Sequence, residues 1–188
     1  AALSKAPVVW LGDPVAIRDA VMASFRKQSG ANLLVIGQNE EAATGLFSAA
    51  LLALAAQGRD AAPAIHLLDF SQGDDATADF YNTLAPHLSR PIMIAKRRQM
   101  ADLLTGLADE VKRRLDDEGG PQPPRFLLVH GLQRARDLRQ EDSFSSYSSF
   151  SDEPAPVNPA QHFATILRDG PEVGVHTLVW CDTVTNLN

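Results

Sequence analysis

The stretch LLVIGQNEEAATGLFSAALLALAAQG, residues 33–58, decides the fold. A short apolar run leads into Gly37, and a longer segment rich in Ala and Leu follows it and stops at Gly58. A run that is apolar throughout is typical of a strand buried on both faces, and the longer segment predicts a helix over residues 40–57. A strand, a glycine turn and a helix in this order are also the layout of a phosphate-binding loop.

The same alternation of strands and helices continues along the chain. Short apolar runs predict strands at residues 8–11, 33–36, 65–68, 92–94, 126–129 and 175–181, and helices are predicted at 40–57, 76–84, 100–115 and 160–168. This order favours an α/β fold with a mainly parallel central sheet and helices on both faces. The Ser- and Pro-rich residues 143–159 show no periodicity and predict a flexible loop within a single domain, residues 1–188.

Composition excludes several classes of protein. The net charge of −6 argues against a surface built mainly to coat nucleic acid, which needs clustered Lys and Arg. The single cysteine, Cys181, cannot form an internal disulfide and favours a reducing compartment. No apolar run approaches the ~18 residues that span a bilayer. Because the chain begins without Met, we expect it to be a piece of a longer protein.

The turn after residues 33–36 matches the phosphate-loop pattern G-x-x-x-x-G-K-[ST] only at its two ends. The eight corresponding residues are Gly37, Gln38, Asn39, Glu40, Glu41, Ala42, Ala43 and Thr44. Gly37 and Thr44 fit, but alanines replace the second glycine and the lysine. Two glutamates at a helix start stabilise it by ~0.3–1 kcal/mol each and would repel a triphosphate. These residues alone favour a capped strand-turn-helix over a working nucleotide site.

Four further stretches share a pattern with a known family. They are AIHLLDF (64–70), LAPHLSRPIMIA (84–95), PPRFLLVHGLQRARDL (123–138) and LRDGPEVGVHTLVWCDTVTNL (167–187). With SGANLLVIG (29–37), they resemble the motor domain of the FtsK/SpoIIIE-type DNA translocase ATPases. These are RecA-like P-loop proteins with relatives in type VII secretion. The resemblance covers residues 10–186 and implies a three-layer RecA-like fold.

The resemblance also assigns the family's functional positions to residues of this chain. The Walker A lysine corresponds to Ala43, and the Walker B Asp-Glu pair corresponds to His130 and Gly131. The sensor strand, which usually ends Ala-Thr-Gln in the family, ends here at Trp180, Cys181 and Asp182. Phosphoryl transfer depends on charge neutralisation and positioning, which these residues do not supply. We therefore expect no catalytic residue, no metal site and no bound cofactor.

The resulting hypothesis is a degenerate, non-hydrolytic module acting in assembly, regulation or substrate docking of a larger translocase. Its expected partners are other ATPase domains of the same parent chain or a homo-oligomeric ring. DNA or a secreted protein would be engaged through the parent protein, and the expected location is cytoplasmic, with membrane association through other parts of the parent. We expect His130 to be a hydrogen-bonded residue of a former active site.

Two alternatives remain open at this point. One is an ATPase that binds ATP and Mg²⁺ at residues 37–44, with Lys96 or an arginine from a neighbouring subunit supplying the missing cation. The other is a DNA-binding part of a translocase, which would use the basic clusters at residues 96–98, 112–114 and 134–139. Solvated ion pairs are the commoner explanation of such clusters.

Overall fold

A computed structural model describes residues 6–57, 64–71, 79–117, 122–138 and 158–187. Its strands in chain order are β1 (Val8–Gly12), β2 (Val21–Ser24), β3 (Leu33–Ile36), β4 (Ala64–Asp69), β5 (Met93–Ala95), β6 (Arg125–His130) and β7 (Val175–Cys181). Its α-helices are α1 (Glu40–Ala56), α2 (Phe80–Leu84), α3 (Met100–Asp116) and α4 (Pro159–Asp169). Short 3-10 turns lie at Arg97–Gln99, Leu132–Arg134, Arg136–Leu138 and Gly170–Val173.

Five of these strands form an all-parallel sheet in the order β3-β7-β6-β4-β5. Burial explains why the central strands are mostly apolar and lack a regular polar alternation: all seven positions of β7 are buried, and five of six in β4 and in β6. A strand covered by helices on both faces has no solvent side to carry polar residues. The predicted α/β fold with a parallel sheet is confirmed.

Helices cover both faces of the sheet. On the first face, α1 and α2 pack with Phe47, Leu51 and Tyr81 in one apolar cluster. On the second face, α3 and α4 pack through a separate cluster that includes Leu104 and Ile166. The chain therefore crosses from β3 to β5 over the first face and returns to β7 over the second.

The predicted strand at residues 8–11 exists, but its place in the fold was not predicted. It pairs antiparallel with β2 in a two-stranded hairpin outside the main sheet, and β2 itself is too short and mixed in character to stand out. The hairpin rests on α1, because Val9 is fully buried and the Gln57 side chain bonds both the N–H and the C=O of Val8, at 2.9 and 2.6 Å.

Helix boundaries agree with the predictions to within one residue for α1, α3 and α4. The apolar residues Leu103, Leu107, Val111 and Leu115 recur at every fourth position of the sequence and predict the buried stripe of α3, but Leu115 is 48% exposed. Four residues turn a helix about 40° beyond one full turn, so residues four apart gradually rotate away from the core. The buried apolar positions instead follow the 3.6-residue period of the helix. Those positions are Met100, Leu104, Leu107, Ala108 and Val111.

Other predictions concern segments that are only partly described. The predicted helix at 76–84 appears as α2, with residues 76–78 outside the described part, and residues 143–157 of the predicted flexible loop also lie outside it. Asn158 caps α4 by accepting a hydrogen bond from the Ala160 N–H, with Pro159 as the first helical residue. No helix among the described residues is long and apolar enough to cross a bilayer.

Candidate functional site

The predicted site residues meet at the carboxyl-terminal edge of the sheet. The turn after β3, Trp180 near the end of β7 and His130 at the end of β6 lie side by side, and Asp69, which was not among the predicted residues, follows at the end of β4. His130 and Trp180 are direct partners in the β6–β7 ladder. The carboxyl edge of a parallel sheet is where ligands of α/β proteins gather.

The connection between β3 and α1 is shorter than a phosphate loop. Only Gly37, Gln38 and Asn39 separate the strand from the helix, so Glu40 to Thr44 already lie in the first turns of α1. The Asn39 side chain accepts a hydrogen bond from the Ala42 N–H at 2.9 Å, and the Ala43 N–H bonds the Asn39 carbonyl at 3.1 Å. A phosphate cradle would need free N–H groups at these positions.

Gly37 is also bound to the neighbouring strand on both of its backbone groups. Its N–H donates to the Cys181 carbonyl at 3.1 Å, and its carbonyl accepts from the Trp180 indole Nε1 at 2.9 Å. The two hydrogen bonds fix the turn after β3 to the end of β7. No backbone donor of Gly37 is left for a phosphate oxygen.

The Glu40 carboxylate forms a two-pronged ion pair with Arg134, which follows β6. The two nitrogen–oxygen distances are 2.7 and 2.6 Å, and both side chains are about a quarter exposed, at 26%. Hydrogen bonding to Arg134 holds the pKa of Glu40 below its ordinary value despite partial burial. A fixed negative charge therefore stands at the start of α1. Glu41, beside it, is exposed.

The His130 side chain is buried among aromatic rings. Its ring centroid lies 4.7 Å from that of Trp180, 5.2 Å from Phe47 and 5.4 Å from Tyr81, and the side chain is 1% exposed. Burial lowers the pKa of His130, which therefore stays neutral near pH 7. A neutral, enclosed imidazole therefore stands at the end of β6, at the position that the resemblance assigns to a Walker B carboxylate.

The tautomer of His130 follows from its contact with Thr44. The Thr44 hydroxyl donates to the Glu40 carbonyl at 2.9 Å, so it can only accept from His130 Nε2, which lies 3.3 Å away. The proton is therefore on Nε2. His130 Nδ1 has no hydrogen-bond partner among the described residues and lies 3.9 Å from an Asp69 oxygen. The hydroxyl that would hold Mg²⁺ in a working loop is thus engaged within the protein.

Asp69 forms an ion pair with Lys96 at the ends of β4 and β5. The carboxylate is 1% exposed and also accepts a hydrogen bond from the Ser71 N–H at 2.9 Å. Lys96, the cation considered for an unusual nucleotide loop, is thus held by this carboxylate. Gly131 follows His130 with a φ of +93°, a conformation that glycine adopts readily and that turns the chain out of the sheet.

Most residues of the basic clusters are bound to carboxylates. Arg97 donates two hydrogen bonds to Asp137, at 2.9 and 3.0 Å, and Arg113 pairs with Glu110 at 2.9 Å. Arg139 lies outside the described residues. Within the described ranges, no group of three or more His, Cys, Asp or Glu side chains is arranged to hold a metal.

A second feature is an apolar groove beside α4. It encloses about 620 Å³ between the start of β3 and α4, and its walls include Leu34, Phe163 and Leu167. Because β3 is an edge strand of the sheet, Leu34 is 47% exposed there. No pattern in the sequence predicted this groove.

Sequence reasoning also missed the rings around His130. Phe47 lies three residues after Thr44, so helical spacing places both on one face of α1. The position of Phe47 near the site could therefore have been predicted from the sequence. Tyr81 carried no such signal, because its contact with His130 depends on how α2 lies on the sheet. The pair between Glu40 and Arg134 joins residues 94 positions apart and needed the sheet order.

We expect protein stability to fall as the pH drops from about 7.5 to 5.5. Burial lowers the pKa of His66, His130 and His176 below the ordinary value of 6.5. Below pH 6.5 the unfolded chain therefore binds more protons than the folded one, and each such histidine costs up to ~1.4 kcal/mol per pH unit. Urea unfolding at several pH values measures this loss, and a flat stability profile between pH 7 and 5.5 would contradict it.

The carboxylates act in the same direction but at lower pH. Arg134 lowers the pKa of Glu40, and hydrogen bonding led by Arg113 lowers that of Glu110 to about 2. The stability from these groups is present above their ordinary value of 4.5 and is lost only as the pH falls below it. A loss that starts above pH 5.5 therefore reports the histidines.

Comparison with known proteins identifies similar folds at low sequence identity. No family model and no curated protein matches the chain. Its fold is similar to the cytoplasmic domain of EssC (TM-score 0.61, 11% identity) and to EccC ATPases 2 and 3 of Thermomonospora curvata, solved in complex with a signal sequence peptide (0.56, 14%). It is also similar to the cytoplasmic domain of the type VII secretion ATPase EccC of that organism (0.51, 17%).

These similarities cover 97% of this chain in each case. The chain spans 33%, 34% and 21% of the EccC ATPase 2–3, EssC and full cytoplasmic EccC structures, respectively. At this level of identity the comparison shows a shared fold alone. The resemblance to ATPase domains with relatives in type VII secretion is thus confirmed for the fold.

Proposed function

We propose that this chain is a non-hydrolytic ATPase-like module of a larger translocase. The observation that supports the proposal is that the groups at the start of α1, where the resemblance places a nucleotide, are bonded within the protein. Both backbone groups of Gly37 are bonded to β7, and the Thr44 hydroxyl is bonded to Glu40 and His130. A triphosphate would have to break these contacts to reach the start of α1.

The charges at this position also oppose phosphoryl transfer. Such catalysis needs a cation at the β/γ-phosphates and a carboxylate that holds Mg²⁺ and orients water. Ala43 and the neutral His130 provide neither, and Arg134 is already neutralised by Glu40. The resemblance assigns these positions to the Walker A lysine and to the Walker B acidic pair. The chain would therefore lack both the cation that binds the phosphates and the carboxylates that hold Mg²⁺ and orient water.

The proposed role is assembly, regulation or substrate docking beside domains that do hydrolyse ATP. This chain spans between 21% and 34% of the similar solved structures, and one of them contains two numbered ATPases. The proposed partners are such neighbouring domains of one parent chain, or subunits of a homo-oligomeric ring. The proposed setting is the cytoplasmic side of a membrane-bound parent protein.

A secreted protein is the proposed substrate in preference to DNA. One similar structure holds a signal sequence peptide, and the apolar groove beside α4 offers this chain a surface for apolar side chains of a peptide. Most residues of the basic clusters are neutralised by carboxylates, which disfavours a phosphate-backbone contact. A salt-dependent shift of DNA in a gel would favour the DNA alternative instead.

The proposal is tested by phosphate release from ATP and Mg²⁺ with the purified chain. We expect a rate equal to that of buffer alone, because the lysine and the acidic pair are absent. An intact P-loop ATPase serves as the positive control in the same assay. Phosphate release from ATP that co-purifies with the chain through an additional purification step would contradict the proposal.

A further inference from the structure

A cleft of about 470 Å³ opens at the carboxyl-terminal ends of β4, β5 and β6. Phe70 and Ser71 follow β4, Lys96 and Arg97 follow β5, and the turns after β6 close the third side. None of residues 37–44 lines the cleft. Its lining is therefore distinct from the turn that resembles a phosphate loop, and the two are joined only where Arg134 on the cleft wall pairs with Glu40. The cleft does not depend on whether this chain hydrolyses ATP.

The topology of the sheet accounts for the cleft. β4 and β6 are neighbours, but the helix that follows β4 packs on the first face and the helix that follows β6 packs on the second. The two connections diverge and leave a crevice between the strand ends. In open parallel sheets, such a reversal is the usual place for a ligand.

The walls of the cleft carry four cations, three of which are paired with carboxylates. Four cations line it, Lys96, Arg97, Arg134 and Arg136, together with one carboxylate, that of Asp69. Carboxylates inside or beside the cleft pair with the first three of these cations. Arg136 is exposed and forms no ion pair with any residue that the structure describes.

Two buried polar atoms of the cleft residues are left without hydrogen bonds. The Ser71 hydroxyl oxygen and the Gln133 side-chain oxygen are enclosed and have no partner within the described ranges. A buried polar atom without a partner costs free energy, and native proteins satisfy nearly all of them with protein, water or ligand. A hydroxyl can donate to an anionic oxygen, and an amide oxygen can accept from a ligand hydroxyl.

We propose that this cleft binds a small phosphate monoester. A phosphate dianion matches the one guanidinium group of the cleft that no carboxylate of the described residues pairs, that of Arg136, because a guanidinium group binds phosphate through two parallel hydrogen bonds. The Ser71 hydroxyl supplies a further donor, and Gln133 accepts from a hydroxyl group on the organic part. The ion pairs of Lys96 and Arg134 hold those side chains in place, so Arg136 is the cation that becomes ordered on binding.

The test is a titration of the full chain followed by amide NMR, with glycerol 3-phosphate and inorganic phosphate as probes and malonate as a carboxylate dianion. Ionic strength is held constant, because surface charge alone would respond to it. We expect saturable shifts at Ser71 and Gln133, and Arg136→Ala should weaken binding of the monoester about tenfold. Arg98→Ala is the matched control, since Arg98 is exposed, carries the same charge and does not line the cleft.

The outcomes separate the proposal from nonspecific attraction. Loss of binding in R136A with unchanged binding in R98A supports the cleft, and tighter binding of glycerol 3-phosphate than of inorganic phosphate supports a monoester. Equal weakening by both substitutions, equal binding of malonate, or no saturable shift would overturn the proposal. Because no probe contains a triphosphate, failure here leaves the proposed lack of ATP hydrolysis standing.

Discussion

Replacing Trp180 with alanine is expected to lower the free energy of unfolding by about 4 kcal/mol. The indole is 2% exposed, packs on the His130 ring and donates a hydrogen bond to the Gly37 carbonyl. Its removal leaves a cavity beneath the turn after β3 and an unpaired carbonyl. Urea unfolding followed by circular dichroism measures the loss.

Two further substitutions show what the Trp180 result reports. Trp180→Phe keeps a ring on His130 but removes the indole N–H, and it is expected to cost about 2 kcal/mol. Trp10→Ala is the matched control, because Trp10 is 46% exposed on the β1–β2 hairpin and should change stability by less than ~1 kcal/mol. Equal losses for W180A and W10A would contradict the account of a packed nucleotide position.

His130→Asp, which places a Walker B-type carboxylate at the end of β6, is expected to destabilise the protein by about 4 kcal/mol. The new carboxylate would be buried among Phe47, Tyr81 and Trp180 and would face Asp69, a second carboxylate. Like charges in a buried site raise each other's pKa, so the loss should grow as the pH rises. Chemical denaturation at about pH 5.5 and 8 measures both effects.

The neutral substitution His130→Asn separates charge from size. It removes a similar part of the ring without adding a charge, and it is expected to cost about 2 kcal/mol with little dependence on pH above neutrality. H130D should also fail to hydrolyse ATP, because the turn after β3 stays closed by its own hydrogen bonds. A stable H130D protein that hydrolyses ATP would contradict this expectation. It would show that a carboxylate at the end of β6 is all that the unaltered chain lacks for ATP hydrolysis.

The sheet could be predicted from the sequence because burial of a strand on both faces determines which residue types the strand contains. β4, β6 and β7 lie between two layers of helices, so their sequences show no regular polar alternation, and even polar residues such as His66 and Thr177 are buried. The sequence pattern of the β1–β2 hairpin is weaker. β2 has four residues, three of them exposed, and its pairing with β1 depends on the support of α1.

The candidate site was predictable in position but not in its contacts. The eight-residue phosphate-loop pattern correctly placed residues 37–44 at the carboxyl-terminal edge of the sheet. The helix, however, begins at Glu40, within the segment that the pattern assigns to the loop. An Asn followed by two glutamates is a helix-start signal, and in the structure the Asn39 cap outweighs the family pattern. The contact of His130 with Trp180 depends on strand register, which periodicity alone does not fix.

Calorimetric titration of the full chain with ATP and Mg²⁺ measures directly whether the start of α1 binds nucleotide. We expect no saturable heat at micromolar nucleotide, because both backbone groups of Gly37, the Thr44 hydroxyl and Arg134 already have partners in the protein. Glu40→Ala and Ala43→Lys provide variants in which the opposing charge is removed or the lysine is added. Micromolar binding by the unaltered chain that is lost on substitution of Thr44 would contradict the claim that this position no longer holds nucleotide.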